Sequence, residues 1–245
     1  MSQEGPSRLF PRLASFLGGK PRVNELTHTG DEPTRFIDAA GEVVRPLPDF
    51  AENKDTLIVL YRAMVLTRTF DAKSIALQRT GRLGTYPSSL GQEAVGVGVG
   101  HAMLPEDIFA GTYREHGAQM LRGVTLLEML LFWGGDERGM VYGGPVDDFP
   151  PSIPIGSHAP HSVGAALAIK LRGEARASVC VFGDGATSKG DVYEAMNIAG
   201  VWRLPVLFVV NNNQWAISLS REEQSAAPTL AAKAPACGFD GEQVD

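Results

Sequence analysis

The chain has 245 residues, 44% of them hydrophobic, which is enough to build one sizeable α/β domain. Its formal net charge of -6 and the lack of a long basic run argue against nucleic acid as a partner. No uninterrupted apolar stretch approaches the ~18 residues of a membrane span. Two cysteines without metal-ligand spacing exclude a disulfide framework and suit a reducing compartment.

Residues 1–53 are predicted to form an N-terminal arm, and residues 54–245 the main domain. The arm carries Glu4, early prolines and no continuous apolar core, so it is not a secretory signal. Its arginines and serines resemble a transit peptide only faintly, because the prolines interrupt any amphipathic helix. We expect the arm to pack on a neighbouring subunit, with a disordered tail as the alternative.

Three helices are predicted in the first half of the main domain. Apolar residues recur at near-helical spacing from Asn53 to Thr80, and Gly81 follows as a stop. Thr125 to Trp133 is predicted to be a buried helix. A further helix is predicted from Gln92 to Met103, and its glycines predict close packing: Gly96, Gly98 and Gly100.

A glycine- and proline-rich loop from Gly134 to Ser157 is long enough to predict a functional role. A helix of small residues is then predicted from Ser162 to Leu171. Between them His158 and His161 suggest a metal site, but Pro160 opposes a regular helix and no third ligand is suitably spaced. We therefore expect loop histidines near a cofactor or a subunit contact.

The clearest unit is a strand from Ala177 to Phe182, a helix from Val192 to Trp202 and a strand from Pro205 to Val210. This order predicts two parallel strands joined by a right-handed crossover. The predicted fold class is therefore α/β, with a parallel sheet flanked by helices.

Polar residues follow both predicted strands. Ligands of open parallel sheets bind beyond the carboxyl ends of the strands, where Asp184 and Asn213 would converge. A carboxylate and an amide oxygen that leave several coordination positions open suit magnesium. The glycine pattern does not predict a Rossmann site, because Gly183-x-Gly185 is followed by Ser188 where the third glycine belongs.

The string from Gly183 to Trp215, GDGATSKGDVYEAMNIAGVWRLPVLFVVNNNQW, resembles the thiamine diphosphate motif. From about Lys54 onward the chain resembles the alpha subunit of the first component of 2-oxo acid dehydrogenases. The supporting segments are GRLGTYPSSLGQEA, GTYREHGAQMLRG and IPIGSHAPHSVGAALA. The resemblance implies the thiamine diphosphate-binding fold, with thiamine diphosphate and magnesium as cofactors.

The resemblance also implies the residues of a metal and diphosphate site. Asp184, Asn213 and the backbone carbonyl of Trp215 would bind magnesium. The family commonly has tyrosine at the last position, but a carbonyl ligand tolerates the change. Gly185 and Ala186 would contact the diphosphate through their amides.

Further positions match residues around the cofactor and the substrate. Tyr113 and Arg114 would anchor the diphosphate, and the planar guanidinium suits that task. Ile155 matches the bulky residue that enforces the bent cofactor shape, and Ile153 would meet the aminopyrimidine through its backbone. Tyr86 lies where the family forms part of the substrate pocket.

The family's chemistry implies partners. After decarboxylation of a 2-oxo acid, the acyl group passes to a lipoyl group on an acyltransferase component. A beta subunit, in a heterotetramer of two alpha and two beta chains, supplies the glutamate that activates the cofactor. Glu194 is expected to orient the metal turn or meet that partner. The implied location is the bacterial cytoplasm, with the mitochondrial matrix less favoured.

The catalytic residues stay unknown at this point. The family continues through a further strand and a histidine-bearing loop, so the fold is expected to be C-terminally incomplete at Asp245. Pyruvate is the first choice of substrate, ahead of branched-chain 2-oxo acids and acetoin. The alternative from another class is a non-catalytic fragment that acts as a cofactor-binding or assembly module. Magnesium-dependent binding of the cofactor without turnover, even with the beta subunit present, would favour this alternative.

Overall fold

A computed structural model describes residues 33–245 of the chain, so most of the predicted N-terminal arm lies outside the described residues. Its central element is a three-stranded parallel sheet with the strand order β1-β2-β3. The strands are β1 (Ile108–Ala110), β2 (Ser178–Gly183) and β3 (Val206–Asn211). The structure confirms the predicted parallel α/β architecture.

The βαβ unit places two strand ends side by side. Helix α6 (Gly190–Trp202) connects β2 to β3, as the sequence predicts. In the register of the two strands Ser178 lies opposite Val206, and Gly183 lies opposite Asn211. The central strand β2 is almost wholly buried, whereas β3 is half-buried along its length. The carboxyl ends of both strands therefore open at the same edge of the sheet.

Helices surround the sheet. They are α1 (Lys54–Arg79), α2 (Glu93–Ala102), α3 (His116–Leu121), α4 (Leu126–Trp133) and α5 (His158–Arg172). Asn53 caps α1 by accepting hydrogen bonds from the backbone N–H groups of residues 55 and 56, and Gly81 follows with a φ of 70°. Residues of α5, β2 and α6 form the largest hydrophobic cluster, on one face of the sheet. None of the helices within residues 33–245 is both long and apolar enough to cross a membrane.

Two details of the predicted helices are wrong. In α4 only Met129 is buried and Leu127 is 65% exposed, so α4 lies on the surface with one inward face. In α2 a Cβ added at Gly100 would lie 2.8 Å from Cα of Ala118 in α3. A Cβ added at Gly98 would meet nothing within 4 Å. Close packing thus explains Gly100 but not Gly98.

Helix α5 begins earlier than the sequence predicts. It starts at His158 and continues through Pro160 to Arg172. Proline is tolerated in the first turn of a helix because the N–H groups there have no intrahelical partner. The expectation that His158 and His161 lie in a loop is therefore wrong, since both belong to the first turns of α5.

The long segment before α5 is bound to the open side of β1. The backbone N–H of Phe149 donates to the carbonyl of Phe109 at 2.8 Å, and that of Ser152 donates to Gly111 at 3.1 Å. Arg122 and Asp148 form a buried ion pair with a distance of 2.5 Å. The segment also contains a short 3-10 helix, Glu137–Met140. The C-terminal half of the segment before α5 is thus attached to the sheet.

The described part of the predicted arm packs on the far end of its own chain. Thr34 pairs in parallel with Val244, and its backbone carbonyl accepts from the N–H of Asp245 at 3.0 Å. Arg35 Nε lies 2.5 Å from Oδ2 of Asp245. These contacts join residues at the two ends of the described chain.

Short elements follow β3. Strands β4 (Trp215–Ala216) and β5 (Leu219–Ser220) form an antiparallel hairpin. Helices α7 (Arg221–Gln224) and α8 (Lys233–Ala236) complete the chain.

Candidate functional site

The turn after β2 and the hairpin after β3 are packed together at the edge of the sheet. Strand β2 continues directly into a 3-10 helix, Asp184–Ser188, which we call the β2 turn. A Cβ added at Gly185 would lie 2.8 Å from Cβ of Ala216 in the hairpin, so only glycine permits this approach. The structure therefore places the segment carrying Asp184 against the segment carrying Asn213.

Asp184 is a buried carboxylate with 2% exposure. Burial raises the pKa of its carboxyl, while its own N–H, the N–H of Gly185 and the charge of Arg221 oppose the rise. The side chain of Gln224 donates to Oδ2 at 3.4 Å, a long hydrogen bond. A cation beside this carboxylate would offset the cost of burying its charge.

The other two proposed ligands lie in the strand-to-hairpin connection. Oδ1 of Asn213 accepts from the backbone N–H of Trp215 at 3.0 Å, which leaves one of its lone pairs free. The indole of Trp215 is exposed, and the ligand predicted at this position is its backbone carbonyl. Residues 33–245 bring no three His, Cys, Asp or Glu side chains within reach of one ion. A carboxylate, an amide and a carbonyl nevertheless form a donor set that fits magnesium with water and phosphate.

The β2 turn is held by neighbouring side chains. Thr187 Oγ1 donates to the carbonyl of Asp184 at 2.7 Å. Lys233 Nζ donates to the carbonyl and the hydroxyl oxygen of Thr187 at 3.1 and 3.0 Å. Ser188 Oγ donates to the carbonyl of Gln224 at 3.3 Å. The amides of Gly185 and Ala186 thus lie in a turn that is anchored at both ends.

The predicted diphosphate anchor lies in the turn after β1. Glu115 accepts from the backbone N–H and the hydroxyl of Thr112, both at 2.6 Å. Burial raises the pKa of the Glu115 carboxyl, and its hydrogen bonds with Thr112 oppose that rise. The guanidinium of Arg114 lies 5.3 Å from the ring centroid of Tyr113 and donates to the carbonyl of Ser88. The side chains of Tyr113 and Arg114 are half-buried, so they remain partly accessible.

The segment that holds Arg114 is itself fixed by Asp71 of α1. Asp71 is buried and accepts through Oδ1 from the N–H of Ser89 at 2.7 Å and from the hydroxyl of Tyr86 at 3.0 Å. Through Oδ2 it accepts from the hydroxyl of Ser88 at 2.7 Å. Sequence reasoning missed this residue, because one acid within a long mixed helix carries no distinguishing pattern.

Tyr86 belongs to the hydrophobic core. Its ring stacks on His116 at 5.3 Å between centroids and meets Trp133 edge-on at 5.5 Å. Burial raises the pKa of its hydroxyl, and the neighbouring charge of Asp71 raises it further. Burial likewise lowers the pKa of His116 to about 4. The hydroxyls of Tyr86 and Ser88 both donate to Asp71, and the role of Tyr86 in a substrate pocket stays a prediction.

Ile153 and Ile155 are exposed apolar side chains in the segment before α5. Lys189 Nζ donates to the carbonyl of Ile155 at 2.7 Å, which ties this segment to the start of α6. A Cβ added at Gly156 would lie 2.7 Å from Cγ2 of Val192 in α6. The two isoleucines therefore stand on a segment packed against the crossover helix, and their cofactor contacts stay predictions.

The two histidines at the start of α5 have separate surroundings. Nε2 of His158 donates to the carbonyl of Val181 in β2 at 2.7 Å, and its Nδ1 is buried without a hydrogen-bond partner among residues 33–245. Burial lowers the pKa of His158. The ring of His161 stacks on Phe149 with centroids 6.4 Å apart. His158 thus contributes to the core, and Glu194 lies exposed on α6.

Together these features define a parallel α/β protein with a polar edge suited to a cation and an anionic group. Residues 61–245 match the family described as "Dehydrogenase E1 component". The chain belongs to this family, as the sequence resemblance predicts.

Curated relatives agree with this assignment. The chain is 40% identical over 213 residues to the pyruvate dehydrogenase E1 component subunit alpha of Bacillus subtilis, covering 86% of this chain and 57% of that protein. It is 38% identical to proteins of the same name from Acholeplasma laidlawii and Staphylococcus aureus. These matches cover 85% and 97% of this chain, and 60% and 64% of the relatives. The chain thus spans about three fifths of the length of these relatives.

Among solved structures, the chain is similar to one assigned as a thiamin diphosphate-dependent enzyme from Mycobacterium smegmatis. The two are 23% identical, with a TM-score of 0.39 and coverage of 59% of this chain and 25% of that one. A likeness at this level supports no argument about function.

Proposed function

We propose that this chain acts as the alpha subunit of a thiamine diphosphate-dependent 2-oxo acid dehydrogenase, with pyruvate as the substrate. The reaction is oxidative decarboxylation with transfer of the acyl group to a lipoyl group. The observation that carries the proposal is the buried carboxylate of Asp184, packed against the hairpin segment in a chain of the E1 family. The names of the relatives favour pyruvate over branched-chain 2-oxo acids, acetoin or a non-catalytic role.

The β2 turn and the strand-to-hairpin connection would hold the cofactor's metal and phosphates. Asp184, the amide oxygen of Asn213 and the carbonyl of Trp215 would coordinate magnesium. The amides of Gly185 and Ala186 would donate to the diphosphate, because successive backbone N–H groups in a turn form a concave anion site. When bound, thiamine diphosphate supplies the electron sink that decarboxylation of a 2-oxo acid requires.

Arg114 and Tyr113 would anchor the diphosphate from the turn after β1. A guanidinium binds phosphate oxygens through two parallel hydrogen bonds, provided that its plane is fixed in advance. The Tyr113 ring and the carbonyl of Ser88 already constrain that plane. The side chain of Ile155 is exposed and would support the bent shape of the cofactor, whereas Ile153 would meet the aminopyrimidine through its backbone.

A beta subunit is part of the proposal, because the family resemblance assigns the acid that activates the cofactor ring to that partner. The outward face of α6 supports a partner surface, because it exposes large apolar side chains beside Glu194. They are Tyr193, Ile198, Val201 and Trp202. The proposed assembly is a heterotetramer of two alpha and two beta chains, in which residues 54–245 form the cofactor domain. It would pass the acyl group to a lipoyl-bearing acyltransferase component in the bacterial cytoplasm.

The test is calorimetric titration of the assembled protein with thiamine diphosphate and Mg²⁺. The Asp184→Ala variant removes the only charged ligand, so we expect an affinity loss of at least about 100-fold. Asn213→Ala should act in the same direction, whereas Trp215→Phe keeps the carbonyl and should bind like the wild type. Asp55→Ala, an exposed acid in the first turn of α1, is the matched control. Unchanged affinity in Asp184→Ala would contradict the site.

A further inference from the structure

Lys233 approaches the β2 turn from α8. Its side chain is 8% exposed, which is rare for lysine. Nζ donates to both oxygens of Thr187, the carbonyl at 3.1 Å and the hydroxyl at 3.0 Å. The same nitrogen lies 5.4 Å from the ring centroid of Tyr193 in α6. Among residues 33–245, the hydrogen bonds and the ring contact of the ammonium are thus with neutral groups.

A buried ammonium is costly unless an anion compensates it. Within residues 33–245 no carboxylate lies within 4.0 Å of Lys233, whereas other lysines and arginines of the chain form ion pairs. Burial lowers the pKa of Lys233, and the positive charge of Arg221 lowers it further. A methionine of similar length would bury the same space without this cost. Stability alone therefore does not account for lysine at this position.

The contacts of Lys233 lead to the peptide groups of the β2 turn. The hydroxyl of Thr187 accepts from Lys233 and donates to the carbonyl of Asp184 at 2.7 Å. The carbonyl of Thr187 accepts from Lys233 as well. These bonds fix the carbonyl of residue 184 at the start of the turn and that of residue 187 at its end. The amides of Gly185 and Ala186 lie between the two fixed points.

We propose that Lys233 is a positioning residue that holds the β2 turn in the conformation that receives the metal-bound diphosphate. This inference rests on the proposed function, because the Gly185 and Ala186 amides matter only if an anion binds there. The ammonium also places a positive charge behind the turn, which favours an anionic ligand at long range. Lys233 acts through Thr187 and does not itself contact the reacting atoms.

The test compares Lys233→Met, Lys233→Gln and the control Lys170→Met. Methionine keeps the apolar stem but cannot donate, whereas glutamine is neutral and still donates to Thr187. Lys170 is an exposed lysine of α5 whose Nζ bonds to the carbonyl of Trp202. Calorimetric titration with thiamine diphosphate and Mg²⁺ should give an affinity about 10- to 100-fold weaker for Lys233→Met. Lys233→Gln should fall between Lys233→Met and the wild type, and Lys170→Met should match the wild type.

Stability separates positioning from a merely structural role. Lys233→Met removes a poorly compensated buried charge but also leaves the carbonyl of Thr187 without this donor. The two effects oppose each other, so the melting temperature should stay close to that of the wild type. The KM for the 2-oxo acid at saturating cofactor should stay unchanged. A Lys233→Met variant that loses cofactor affinity only together with a lower melting temperature would overturn the positioning role.

A measurement without cofactor tests Lys233 independently of the proposed function. Amide hydrogen exchange of the peptide containing the β2 turn should be faster in Lys233→Met than in the wild type and in Lys170→Met. If the wild type does not bind thiamine diphosphate, the proposed function fails. Faster exchange in Lys233→Met would still show that Lys233 holds the β2 turn. Unchanged exchange in Lys233→Met would overturn the inference even if the wild type binds the cofactor.

Discussion

At the scale of single residues, His116 provides a prediction about pH. Its Nε2 accepts from the indole N–H of Trp133 at 3.3 Å, and its Nδ1 lies 3.4 Å from the hydroxyls of Tyr86 and Ser89. The imidazole is therefore neutral in the folded protein, and burial lowers its pKa from 6.5 to about 4. Because the pKa of His116 is lower in the folded than in the unfolded protein, protonation of the imidazole favours unfolding. The contribution of the neutral imidazole to the free energy of unfolding is therefore fully present above pH 6.5 and is lost as the pH falls towards 4.

The expected loss of unfolding free energy over this range is up to about 3 kcal/mol, measured by urea denaturation at a series of pH values. The His116→Gln variant should lose this part of the pH dependence. The exposed His101→Gln should keep the wild-type profile. Identical profiles for His116→Gln and the wild type between pH 6.5 and 4 would contradict this account of His116.

The side chains around the candidate site differ in how well the sequence predicts them. Asp184 and Asn213 are predictable because each follows a strand of one βαβ unit, so topology alone brings their segments together. Asp71 and Lys233 are not predictable in this way. Asp71 binds Ser89 and Lys233 binds Thr187, and no local periodicity encodes such contacts between different elements.

At the scale of elements, the boundaries of helices and strands follow from local chemistry. Helix α1 is predicted within a residue at each end, because Asn53 caps it and Gly81 stops it. The start of α5 is missed because proline argues against a helix in general but not within its first turn, where Pro160 lies. The burial of α4 is overestimated, since an all-apolar sequence does not show which of its faces meets another element.

The packing of α2 on α3 gives a prediction from two glycines of one helix. A methyl group at Gly100 would lie 2.8 Å from Cα of Ala118 and 3.0 Å from its carbonyl oxygen, so the helices must separate. Gly100→Ala should therefore lower the unfolding free energy by about 1–3 kcal/mol. Gly98→Ala meets nothing within 4 Å and should raise it by about 0.5–1 kcal/mol, because alanine favours helix.

Chemical denaturation of both variants under one set of conditions provides the measurement. The sign of the difference between them is the decisive result, since both changes add the same methyl group to the same helix. Equal effects of Gly98→Ala and Gly100→Ala would mean that α2 does not pack on α3 as described.

At the scale of the whole molecule, the sequence predicts the fold class and the edge of the sheet on which the candidate site lies. It does not predict how the segment before α5 attaches to β1, through Phe149 and Ser152. Nor does it predict that Thr34 and Arg35 contact Val244 and Asp245 at the far end of the chain. Contacts between distant parts of a chain depend on packing that no local pattern records.

The central claim is that this chain supplies the metal and diphosphate side of an active site completed by a beta subunit. Its most direct test is the decarboxylation of pyruvate, measured with an artificial electron acceptor in the presence of thiamine diphosphate and Mg²⁺. The chain would be assayed alone and together with a beta subunit of the same family, and a branched-chain 2-oxo acid would replace pyruvate in parallel. We expect turnover only when both subunits are present, with pyruvate preferred. Robust turnover by the chain alone, or a preference for the branched-chain acid, would contradict the account.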